Sequence, residues 1–62
     1  QRRSIRSTKA LAVGDVITEK DLICLRPCPS GAISPIYFDE VIGRVVSDNI
    51  EEGDYLTWSK IK

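Results

Sequence analysis

Side chains able to do chemistry are few in this chain, and most gather around one stretch, Arg26-Pro27-Cys28-Pro29-Ser30-Gly31-Ala32-Ile33-Ser34-Pro35. It holds all three prolines and one of the four glycines. No histidine is present, which removes Ser-His and Cys-His nucleophile chemistry. The two cysteines, Cys24 and Cys28, are separated by three residues, and a structural zinc site needs four Cys or His ligands in spaced pairs. A strained bridge between them is open in an oxidising compartment. The expectation is that they are reduced, with one or both packed as small hydrophobes and Cys28 turned to solvent without a function. Arg26 remains. A guanidinium offers five donors in a rigid fork, suited to carbonyl, hydroxyl or carboxylate oxygens. Pro27 fixes the backbone after it and biases Arg26 itself toward extended geometry. Two roles stay open on the residues alone: recognition of a ligand oxygen, or pairing with a nearby carboxylate.

The elements that must position this stretch look like copies of each other. Leu11-Ala12-Val13-Gly14-Asp15-Val16-Ile17-Thr18-Glu19-Lys20-Asp21-Leu22 lies before it, and Ile50-Glu51-Glu52-Gly53-Asp54-Tyr55-Leu56-Thr57-Trp58-Ser59-Lys60-Ile61 after it. One constant shift aligns aliphatics, Gly-Asp, a β-forming residue, an aliphatic, Thr and a final aliphatic. The chain thus reads as a small pseudo-twofold domain presenting a central loop.

In chain order, Ser4 to Ala12 alternates loosely, with Ile5 and Leu11 as inward residues of a short strand. Val13-Gly14-Asp15 is a turn, since Gly tolerates positive φ and Asp bonds its own backbone. Val16-Ile17 is a two-residue β piece. Thr18 to Asp21 has capping-box spacing around a single 3₁₀ turn. The apolar run Leu22-Ile23-Cys24-Leu25 reads as a buried strand. Ser34-Pro35 starts a helix of about two turns that carries Ile36, Tyr37, Phe38, Val41 and Ile42 at near-helical spacing and stops at Gly43. Val45-Val46 resumes extended structure, and the second copy repeats the turn, strand and capped-turn plan. Trp58 is expected as a core or domain-interface anchor. The fold class is therefore mainly β, with short strands, single-turn 3₁₀ helices and an internal repeat.

Sixty-two residues make one domain, 1–62, with little core of its own. Nine basic and nine acidic residues balance to zero, which argues against a nucleic-acid module. The charges are uneven: Arg2, Arg3, Arg6 and Lys9 open the chain, while Asp48, Glu51, Glu52 and Asp54 cluster near its end. They read as two solvated faces. No apolar run approaches the ~20 residues of a membrane span and no signal-peptide core follows the basic start, so the expected location is cytoplasmic. A beginning at Gln1, without Met, points to a piece of a longer protein.

These residues resemble the SAF domain family, the β-clip fold shared by type III antifreeze proteins and the C-terminal domain of sialic acid synthases. The resemblance runs through Arg3-Ser4-Ile5, Gly14-Asp15-Val16-Ile17-Thr18, Arg26-Pro27, Gly31 with Ile33-Ser34-Pro35, Asp39-Glu40-Val41-Ile42-Gly43-Arg44, and Ile50, Gly53 and Leu56-Thr57-Trp58. It is strongest toward bacterial synthases of N-acylneuraminate type. It implies an absent (β/α)₈ barrel that condenses phosphoenolpyruvate with an N-acylmannosamine-like sugar, aided by a divalent metal (Mn or Mg). It further implies a homodimer in which this domain caps the partner subunit's barrel, with no cofactor of its own. The loop arginine that reaches the sugar in trans matches Arg26. The family's Arg-Pro-Gly-x-Gly becomes Arg-Pro-Cys-Pro-Ser-Gly here, so no contact of the first glycine carries over. Two rivals share the resemblance. An ice-binding face would fall near Asp15, Val16, Thr18, Lys20, Asp21 and Arg44, where four of six residues are charged, so no antifreeze activity is expected. A non-catalytic SAF binding module, in flagellar or pilus assembly or in a sugar-acid hydro-lyase, would use the same loop for another partner.

Overall fold

A computed structural model describes residues 2–62, and every regular element in it is short. Strand β1 (Ser4–Ser7) pairs antiparallel with β2 (Leu22–Leu25), Ser4 facing Leu25 and Ser7 facing Leu22. A 3₁₀ turn at Glu19–Asp21 leads into β2. A second at Pro35–Tyr37 runs into the one-turn helix α1 (Phe38–Val41), and a third, Trp58–Lys60, lies near the end. Isolated bridges complete the ladder: Arg6–Tyr55, Leu11–Ile50, Val16–Val45 and Val46–Ile61.

The repeat read in the sequence is a repeat in space. Leu11 and Ile50 are 39 residues apart, and the same shift turns the Arg6–Tyr55 bridge into Val45–Val16. It likewise turns the Ser7–Leu22 rung into Val46–Ile61. Single hydrogen bonds follow: Ser7 N–H donates to Asp54 O at 2.9 Å, and Val46 N–H to Asp15 O at 2.8 Å. Leu56 N–H to Ile5 O and Ile17 N–H to Arg44 O are both 2.9 Å. The Leu11–Ile50 rung maps onto itself, with N–H to O bonds of 2.7 and 2.9 Å in the two directions. The pseudo-twofold axis therefore passes through that rung.

Burial explains why two halves are needed. Leu11 and Ile50, Ile17 and Leu56, Leu22 and Ile61 are related by the shift, and all six are buried. Ile5, Ile33, Val41 and Val46 complete the core. Each fully buried aliphatic contributes about 1.5–3 kcal/mol, and with strands this short only the opposite half can cover it. The expected mainly-β domain of short strands, 3₁₀ turns and twofold repeat is the one observed.

Four expectations need correction. The Leu22–Leu25 segment is a strand, but only Leu22 is buried, while Ile23 and Leu25 are 43% and 47% exposed. The two-stranded ribbon is covered on one face, so alternate side chains stay in water. The helix begins at Ser34-Pro35 as expected, with Ile36 N–H donating to Ser34 Oγ, yet it is a 3₁₀ turn followed by a single α turn. Three residues per turn instead of 3.6 rotates Ile36 and Tyr37 away from Val41, leaving Ile36 80% exposed. Of the two places expected for Trp58, core or domain interface, the core is excluded, since the residue is 43% exposed. It stands where the first half has the exposed Glu19, at the outward first position of a 3₁₀ turn. Lastly, the second half repeats the turn without its side-chain cap, because Lys60 replaces Asp21.

Candidate functional site

The central loop leaves β2 at Arg26 and is held at both ends. Arg26 is exposed, and among the described residues its guanidinium has no hydrogen-bond or ion-pair partner. The Arg26–Pro27 peptide bond is cis. The Pro27 carbonyl accepts two bonds from β1: Ser4 Oγ at 2.9 Å and Arg6 Nη2 at 2.9 Å. Ser4 Oγ also lies 3.4 Å from Leu25 O. Arg6 reaches across to the second half, its Nη1 donating to Gly53 O at 3.3 Å and its guanidinium 5.8 Å from the Tyr55 ring centroid.

At the far end Ile33 is fully buried and fixed by Ile5 N–H to Ile33 O and Ile33 N–H to Leu56 O, both 3.0 Å. Between the two anchors, Ala32 N–H donates to Pro29 O at 3.0 Å and closes a turn. That turn folds Cys28 inward: it is half-buried, with Sγ 4.0 Å from Ala32 O, so the expected solvent-facing thiol is not found. Both cysteines are free, and Cys24 packs against the core. Beside the loop an open groove of about 400 Å³ runs between Arg2, Arg3 and Ser34-Pro35-Ile36.

Arg26 stands exposed on the loop as the sequence predicts, whereas nothing in the sequence singles out Ser4 or Arg6, the latter being one member of a basic face. The one ion pair among the described residues joins Lys9 Nζ to Asp21 Oδ1 at 3.5 Å, away from the acidic group at 48–54. Asp21 is buried, and its Oδ2 accepts from Thr18 N–H (2.9 Å) and Thr18 Oγ1 (3.0 Å). The bond from the Thr18 backbone, against the opposing cost of burial, holds the Asp21 carboxyl below its ordinary 3.8.

Elsewhere, Tyr37 and Trp58 meet edge-on at 5.7 Å, and Arg44 stacks 5.2 Å from the Trp58 ring while its Nε donates to Glu40 O. The surface matching an ice-binding face carries the exposed charges Asp15 and Lys20 beside Val16 and Thr18, so it is a hydrated surface rather than a flat apolar one. Among the described residues no group of three His, Cys, Asp or Glu side chains is placed to hold a metal, and no helix is long and apolar enough to cross a membrane.

A small, mainly-β body with an internal twofold, extending one proline-flanked cation on a loop anchored at both ends, is the class that fold and site define. The chain belongs to the SAF domain family, whose model matches residues 2–62. Comparison with curated proteins returns no match.

Proposed function

We propose that this SAF domain is the C-terminal substrate-capping domain of a sialic-acid-type (N-acylneuraminate) synthase, contributing Arg26 to the active site of a partner subunit. The observation that carries the reading is the Arg26 guanidinium, exposed and unpartnered among the described residues yet mounted next to a doubly bonded carbonyl. A cation kept free of its own domain's carboxylates remains available for a ligand oxygen. In this reading the parent is a cytoplasmic homodimer whose (β/α)₈ barrel condenses phosphoenolpyruvate with an N-acylmannosamine-like sugar. The divalent metal would belong to that barrel. The domain itself breaks and forms no bond. It closes over the partner's barrel, excludes water, and fixes the sugar's orientation through the guanidinium fork.

Arg26→Ala in the intact synthase tests this. A lost charge-assisted hydrogen bond of about 1.5–3 kcal/mol corresponds to a rise of roughly 10- to 150-fold in the sugar's KM. The phosphoenolpyruvate KM should change far less. Unchanged sugar kinetics would return the domain to the other reading, a non-catalytic SAF binding module in another setting.

A further inference from the structure

We infer that Arg6 and Ser4 form a clamp on the Pro27 carbonyl whose role is to aim Arg26, which makes both of them positioning residues. The inference rests on the substrate-capping reading for its functional half, while its structural half stands by itself. Two donors converge on one acceptor immediately after Arg26, each at 2.9 Å. Ser4 is fully buried, so its hydroxyl must spend its donor inside the protein, and it does so at the loop base.

The repeat separates scaffold from device. Thirty-nine residues beyond Ser4 and Arg6 stand Gly43 and Val45, neither of which has a side-chain donor. The backbone bridges at Arg6 and Val45 are equivalent, so the twofold ladder forms without a hydroxyl or a guanidinium at these positions. At these two positions the symmetry is broken by the pair of bonds to Pro27. The loop they hold is likewise the part of the chain without a counterpart in the repeat.

Arginine suits this position in a way lysine does not. Its two Nη groups reach different carbonyls, Gly53 O and Pro27 O, while Tyr55 lies under the plane. One rigid fork therefore ties the loop base to the second half's turn, and an ammonium is a point donor on a flexible stem. Arg6 Nε–H has no partner among the described residues. Removing the clamp frees the loop at its Arg26 end only, because Ile33 still anchors the other.

The test has two arms. In the ¹⁵N-labelled chain, backbone order parameters are measured at Arg26, Cys28, Ser30 and Gly31 for the parent, Arg6→Met and Ser4→Ala. The expected result is a fall from the rigid range near ~0.85 toward ~0.6 at those four amides, with Leu11, Ile50 and Leu56 unchanged. Ser4→Ala leaves Gly53 and Tyr55 untouched, so it decides the matter even if Arg6→Met unfolds. Unchanged loop order overturns the clamp. So does a uniform loss of order, which would make these residues general braces of the fold.

In the intact synthase, Arg6→Met should raise the sugar's KM about three- to tenfold with little change in the phosphoenolpyruvate KM, and add nothing in an Arg26→Ala background. If Arg26→Ala raises the sugar KM but neither clamp variant does, the positioning role is wrong. If the clamp variants loosen the loop and Arg26→Ala is silent, the clamp stands and the synthase reading falls.

Discussion

At Gly14 and Gly53 the backbone takes φ values of +96° and +85°, and a Cβ added at either would meet no atom within 4 Å. Any cost of an L-residue there is conformational, about 1–2 kcal/mol, with no steric clash to confuse it. Because the two glycines are related by the repeat, Gly14→Ala and Gly53→Ala should lower the urea midpoint by similar amounts at constant m. A neutral result at either would contradict the turn geometry. Legibility differs sharply among single residues. The exposed loop position of Arg26 is readable because the flanking proline ends the strand there. Arg6 is not, because its partners are backbone carbonyls 21 and 47 residues away, and no sequence pattern encodes a carbonyl's direction. The inward pose of Cys28 escapes the sequence for a similar reason: Ser30-Gly31 announces the Pro29–Ala32 turn locally, with Gly31 at φ +88°, but not which way the thiol before it faces.

The 3₁₀ turn at Glu19–Asp21 shows what one carboxylate does for an element. Asp21 accepts two bonds from Thr18 and faces Lys9 Nζ, and its pKa is depressed. A depressed carboxylate adds stability above its unfolded pKa of 3.8, and that contribution is lost as pH falls through the lower folded value. Asp21→Asn keeps an acceptor oxygen but loses its charge, so it should be less stable than the parent at pH 7 by about 1 kcal/mol, the difference between a charge-assisted and a neutral hydrogen bond. The gap should close as pH drops below about 4, read from Tm against pH for the two proteins. A gap independent of pH would mean that the charge contributes nothing. The capped turn is visible in sequence because its signal is local. The outward half of β2 and the rotated start of the helix are not, since both depend on which face another element covers.

For the whole molecule, the margin is thin. At roughly 0.05–0.15 kcal/mol per residue, a chain of this length holds only about 3–9 kcal/mol. Leu56→Ala removes a fully buried side chain at a cost of about 2–5 kcal/mol, enough to populate the unfolded state strongly at 25 °C. Ile23→Ala, on the uncovered face of β2, should stay within about 0.5 kcal/mol. Urea titrations followed by circular dichroism distinguish the two, and equal losses would refute the one-sided core. The twofold plan is legible because both halves carry the same turn residues at the same spacing. The axis itself is not, since only the reciprocal Leu11–Ile50 rung marks it. That rung also lets the body and the tip be separated. A peptide bond severed between Ser30 and Gly31 would leave fragments 1–30 and 31–62 still gripping each other through the central rung and the strand contacts on either side of it. The body does not depend on an unbroken tip, so insertions or exchanged residues there can reshape the tip while the mount stays as it is.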